Sequence, residues 1–160
     1  MVAMTTINMT GALDPRGDWE ATQCSIARAL DVVGTRSAML LLREAFYGTS
    51  RFDDFAARVG LSDAVTAARL KELVAEGLLE REPYREPGQR TRHAYRLTDK
   101  GADLLPALTA LMAWGDRWLN DGGRVELRHH GCGARVEPRL ECAAGHHVEL
   151  GELDLARRDG

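Results

Sequence analysis

Arg81, Arg85, Arg90, Arg92 and Arg96 lie within residues 81–96, opposed there only by Glu82 and Glu86. That is a local surplus of three positive charges in a chain whose net charge is −3. Pro87 and Gly88 place a turn in the middle of this run, and Gln89, Arg90, Arg92 and His93 crowd its tip. A guanidinium is a permanent cation with a fork of donors that fits phosphate oxygens, so these residues offer polyanion binding. Two further sets bear on chemistry. Cys24 opens an apolar periodic segment, where helix N–H groups and Arg28, one turn on, would favour a thiolate. Cys132 and Cys142 have no such dipole beside them in the sequence. With His129, His130, His146 and His147 they carry the N and S donors that zinc takes in fours, although the spacing is irregular. There is no phosphate loop, His-Glu-x-x-His or nucleophile elbow, so no enzyme is expected.

The elements that must position the arginines can be read from periodicity and caps. Phe52, Phe55, Val59 and Leu61 space like the inner face of a short helix ending at Gly60. Ser62 offers an N-cap to a second helix, 62–76, with Leu70, Leu73 and Val74 inward and Gly77 ending it. Residues 78–82 and 94–97 predict two strands flanking the basic segment 84–93. Two helices precede this region. One starts at about Trp19 or Ser25 and runs to Val33; the other, 36–46, is apolar on most sides and expected to be buried. After it, Thr98 caps a long helix running to about Leu119, in which Pro106 either makes a kink or marks the first turn of a helix starting near Asp103. This order is that of a winged helix-turn-helix, whose commonest task is to bind duplex DNA with a helix in the major groove and a basic loop on phosphates.

Bulk properties agree. At 160 residues and 44% apolar, the chain allows one domain with a small appendage. The longest apolar run, Ala38–Leu42, is far too short to span a bilayer, and no signal peptide is visible, so cytoplasmic residence and no membrane partner are expected. Three cysteines do not make a disulfide scaffold. Residues 1–18 read as a mobile arm and 19–120 as the DNA-binding and dimerisation domain. Residues 121–160 read as a small β appendage and tail, with strands at 124–128, 135–141 and 147–150. Leu104, Leu108, Leu111, Met112, Trp114 and Trp118 form an apolar face too broad for a small domain to cover, which predicts a homodimer interface; the appendage folding back over it is the competing reading.

Several segments carry a family resemblance: Cys24-Ser-Ile-Ala-Arg-Ala-Leu-Asp-Val-Val-Gly34, Leu40-Leu-Leu-Arg-Glu44, Arg51-Phe52, Arg69-Leu-Lys-Glu-Leu-Val-Ala-Glu-Gly-Leu-Leu-Glu-Arg81 and Tyr95-Arg-Leu-Thr-Asp-Lys-Gly101. In order and spacing, over about residues 22–120, they resemble the HxlR family of bacterial transcription regulators. The resemblance implies a homodimeric, MarR-related winged-helix protein acting at promoters, with a thiol sensor at the position of Cys24 in some relatives. Thr35-Arg36-Ser37 stands where the family has Gly-Lys-Trp, so Arg36 takes the lysine's place at a phosphate. The outward face of helix 62–76 shows Ser62, Asp63, Ala64, Ala67, Ala68 and Lys71. Alanines touch thymine methyls but make no bidentate base contact, which shifts the expected readout toward the wing and DNA shape. The pair His129-x-x-Cys132-Gly133 and Cys142-x-x-Gly145 looks like a zinc-ribbon remnant in which Gly145 stands where a fourth thiolate is expected. No metal or cofactor is therefore expected, with Cys132, Cys142, His129 and His146 as weak candidates.

The combined expectation is a mainly α protein with small β content and a long C-terminal dimerisation helix. It binds a pseudo-palindromic duplex through Arg36, Arg51, Ser62, Ala64, Ala67, Lys71, Gln89, Arg90, Arg92 and His93, and a small molecule or an oxidant acting on Cys24 is a candidate effector. Two other readings stay open: a ligand- or metal-sensing winged helix, and a protein-interaction winged helix with weak DNA binding.

Overall fold

The computed structural model describes residues 6–13, 24–119 and 121–157. The chain runs β1 (Asn8–Met9), α1 (Ser25–Val33), α2 (Arg36–Phe46), α3 (Phe52–Val59), α4 (Asp63–Ala75), β2 (Leu79–Tyr84), β3 (Arg92–Leu97), α5 (Asp99–Ala102), α6 (Leu105–Trp118) and β4 (Asp154–Leu155). It divides into two units. One is Arg28–Glu126; the other comprises the described residues on either side of it.

Helix ends in the larger unit follow side-chain chemistry. The Thr35 and Ser62 hydroxyls accept the N–H groups of Ala38 and Val65, starting α2 and α4. Gly60 ends α3 at φ +70°, a left-handed conformation that costs glycine little. The carbonyls left over at the end of α4 are satisfied from α5. The Thr98 hydroxyl donates to the Gly77 carbonyl at 2.5 Å, and Lys100 Nζ donates to that of Glu76 at 2.5 Å. Gly101 is required by this fit, since a Cβ there would stand 2.1 Å from the Leu78 carbonyl oxygen. Phe55, Leu41, Leu42, Leu70, Leu73 and Leu79 are fully buried and join α2, α3, α4 and β2 in one core.

β2 and β3 pair antiparallel from Leu79↔Leu97 to Tyr84↔Arg92, and Arg51 bridges to Ala94 on the other side of β3. β2 is thus an edge strand, the place where Pro83, which has no N–H, is tolerated. The strands reach farther than the sequence suggests, so Tyr84, Arg92 and His93 sit on strands and the loop proper is 85–91. The expected long helix after the wing is two helices. α5 is one turn, and Pro106 occupies the first turn of α6, where its missing N–H has no cost.

The smaller unit departs most from expectation. In place of strands at 124–128, 135–141 and 147–150 there are isolated bridges, Arg128↔Arg135 and Glu141↔His147. The strand that does form, β4, pairs in parallel with β1, Asn8 with Asp154 and Met9 with Leu155. Residues 8–9 of the expected mobile arm are therefore part of a sheet. No residue described in this unit is buried, consistent with its small apolar content. The alternative start of the first helix at Trp19 lies outside the described residues.

Candidate nucleic-acid interface

The second helix of the helix-turn-helix, α4, presents Asp63, Ala64, Val65, Ala67, Ala68 and Lys71 to solvent while Thr66, Leu70 and Leu73 face the core. Ser62 is exposed at its cap. Val65 was missed in the outward face. It lies next to Ala64, so it adds an apolar group suited to a thymine methyl and no hydrogen-bonding capacity.

Three of the five wing arginines, Arg81, Arg90 and Arg92, line one cleft of about 420 Å³ between the wing and the start of α3, while Arg85 and Arg96 lie outside it. Arg51, Arg81, Arg90, Arg92 and His93 line it together with Asp53. Arg36, at the first turn of α2, and Gln89 and Lys71 are exposed and lie outside this cleft. Gln89 turns its carbonyl to Arg85 Nε at 3.0 Å, which ties the loop to itself.

Carboxylates that the charge pattern alone could not place hold two of these arginines. Arg51 Nη1 is 2.9 Å from Glu86 and its guanidinium lies 5.0 Å from the centre of the Tyr84 ring. Arg92 Nη1 is 3.6 Å from Asp53. Both pairs are solvent-exposed, so each contributes little to stability and phosphate oxygens can replace the carboxylates. Arg81 Nη2 donates to His93 Nδ1 at 3.0 Å, which requires the neutral imidazole, and Arg96 pairs with Glu82. Among the described residues Arg90 has no ion pair. It is the wing cation most available to an incoming phosphate.

A second surface is apolar. On α6, Leu111, Trp114 and Trp118 are 58%, 56% and 63% exposed, and Leu119 follows them, also exposed. Separately, on α1, Ile26 and Leu30, one turn apart, are exposed. Leu104 packs on the chain's own core, and Leu108 and Met112 are half-buried. The expected interface residues therefore divide. Leu111, Trp114 and Trp118 form the open face, and Leu104 belongs to the fold itself.

In the smaller unit His129 Nδ1 lies 3.3 Å from Cys132 Sγ, while no group of three or more His, Cys, Asp or Glu is gathered among the described residues. The expectation that Cys142 lacks a thiolate-favouring environment is corrected. Backbone N–H groups of His146 and Ala144 point at its sulfur and hold the thiol below its ordinary range, with desolvation working weakly against them. The cause is the tight turn from Cys142 to His146, closed by Gly145 N–H to the Cys142 carbonyl at 2.9 Å. A lowered pKa keeps the reactive thiolate present to lower pH. Dye labelling of Cys142 against pH is thus expected to have its midpoint below that of a free cysteine peptide; a midpoint at or above the peptide's would refute this. Cys24, just before α1, is half-buried and not in a disulfide.

Residues 32–122 match the family described as HxlR-like helix-turn-helix. An uncharacterized HTH-type transcriptional regulator of Mycobacterium tuberculosis is 45% identical over 120 residues, 74% of this chain and 75% of the relative. The uncharacterized HTH-type transcriptional regulator YvaP of Bacillus subtilis is 35% identical over 94 residues, covering 58% of this chain and 85% of YvaP. Among solved structures, the candidate transcription factor PA1607 superposes with a TM-score of 0.76 at 34% identity, over 86% of this chain and 97% of that one. The redox regulator HypR, in its reduced form, gives 0.53 at 27% identity, over 57% and 90%.

Proposed function

This chain belongs to the HxlR-like helix-turn-helix family of transcription regulators, and on that premise we propose that it binds a pseudo-palindromic duplex as a homodimer. The family and its relatives are regulators rather than enzymes. The observation that carries the reading is the pairing of an exposed, capped α4 with an arginine-lined cleft at the wing of the same unit. In this reading Ser62, Ala64, Val65, Ala67 and Lys71 enter the major groove. Arg36 and Arg51 hold flanking phosphates, and Gln89, Arg90, Arg92 and His93 meet the minor groove or its phosphates. Nothing polar beyond Ser62, Asp63 and Lys71 is offered to base edges by this face of α4, so sequence discrimination draws on apolar contacts and DNA deformability.

The dimer is formed by the open apolar face of α6. Cys24 is the proposed thiol for an oxidant or electrophile effector; the likeness to HypR, a redox regulator, supports this. The protein works in the cytoplasm, and no described helix is long and apolar enough to cross a membrane. The deciding experiment is a gel shift on the gene's own upstream region at several salt concentrations. A shift that resists unrelated competitor DNA is expected. Binding that unrelated DNA competes away equally would favour a protein-interaction winged helix instead.

A further inference from the structure

Glu44 is a carboxylate 5% exposed, on a helix whose neighbouring Leu41 and Leu42 are fully buried. Its position opposes it three ways. Burial desolvates the charge, the last turn of α2 presents the negative end of the helix dipole, and an apolar residue of similar size would pack as well. The ion pair that accompanies it does not fully compensate. Arg43 Nη2 reaches Glu44 Oε1 at 2.7 Å, but Arg43 Nε is buried without a partner among the described residues.

The second oxygen shows what the carboxylate holds. Glu44 Oε2 accepts the Thr49 hydroxyl at 3.1 Å, and the Glu44 carbonyl accepts the Thr49 N–H at 3.0 Å. Thr49 is itself only 7% exposed. One residue along, the Ser50 carbonyl accepts the Tyr95 N–H of β3 at 2.8 Å, and Arg51 bridges to Ala94. Arg51 then reaches across to Tyr84 and Glu86 on the wing. A continuous set of contacts runs from the buried carboxylate through Thr49 to the arginine and the base of the wing.

We propose that Glu44 and Thr49 are positioning residues for DNA binding, holding Arg51 and the first wing pairing at the height at which a backbone phosphate is met. This rests on the reading of Arg51 as a phosphate contact. The test is a double-mutant cycle on DNA affinity and its salt dependence, using Thr49→Val, Thr49→Ser and Arg51→Ala. Valine keeps the shape of threonine and removes only the donor; serine keeps the donor.

Arg51→Ala is expected to weaken binding about tenfold and to reduce the salt slope by about 1.8, the value of one phosphate contact from each protomer of the dimer. Thr49→Val is expected to reproduce most of that loss, Thr49→Ser to stay within about twofold of the parent, and Thr49→Val to add almost nothing to Arg51→Ala. Equal loss from Thr49→Val in both backgrounds, or an equal loss from serine, overturns the positioning role. An Arg51→Ala variant with unchanged affinity and slope refutes instead the phosphate reading of Arg51. If Thr49→Val does not fold, Glu44→Met, which removes both acceptor oxygens, takes its place in the cycle, with the same coupling expected and additivity again overturning the proposal.

Discussion

Replacing Arg90 and Arg92 together with alanine is expected to weaken binding by a similar factor on every DNA sequence and to flatten the salt dependence of the dimer by about 3.6 units of slope, four phosphate contacts at about 0.9 each. The reason is counterion release: each phosphate neutralised frees condensed cations, and wing residues that meet phosphates carry no base information. Between about 50 and 200 mM salt, the parent should therefore lose roughly a hundredfold more affinity than the variant. The geometry also orders the single variants. Arg90 has no ion pair among the described residues, while Arg92 stands 3.6 Å from Asp53, which offsets part of its charge and must be released for a phosphate. Arg90→Ala should cost more than Arg92→Ala. A salt slope unchanged in the double variant would remove the wing from the mechanism.

How much of this site was legible in the sequence depends on whether the determinant is local. Ser62, Gly60 and Thr98 act on backbone groups within a few residues, so the caps and ends of α3, α4 and α5 follow from residue type and position. The strands run past 82 and start before 94, over Pro83-Tyr84 and Arg92-His93, where Pro83 and the basic turn residues hide the strand pattern. Their extension to Tyr84↔Arg92 comes from cross-strand pairing, which a local pattern does not contain. In the smaller unit the opposite occurred. Leu127, Val136, Leu140 and Val148 space like strand residues, yet they find no apolar partner surface in that unit, and only isolated bridges form beside them.

At the interface, positive charge was legible as a cluster, but its state was not. That Asp53 and Glu86 occupy Arg92 and Arg51 requires the wing to be folded onto α3. Glu44 carries a local signal, as the one carboxylate of α2, five residues before a threonine. Helical periodicity cannot tell an inward carboxylate from an outward one, and its partner Thr49 comes from the following loop.

Leu111→Asp is expected to convert the protein into a monomer. Leu108 was an equally good candidate on sequence grounds, but it is half-buried within its own chain, so aspartate there would confound folding with association. Leu111 is 58% exposed in the single chain and lies in line with Trp114 and Trp118, so a carboxylate leaves the monomer's core intact. In the proposed dimer it would be buried without a partner, at a cost of about 3 kcal/mol, and two-fold symmetry makes that cost enter twice. About 6 kcal/mol raises the dissociation constant roughly four orders of magnitude, so that even a dimer of about nanomolar affinity would be mostly monomer at low micromolar concentration. Light scattering should then report the mass of one chain, with the helical circular dichroism of the parent retained. DNA binding should fall in step, because two half-sites joined in one molecule bind far more tightly than either alone. A soluble dimer of the Leu111→Asp protein would show that this face is not the interface. A monomer that kept full affinity for its operator would separate DNA recognition from dimerisation and remove the palindrome from the reading.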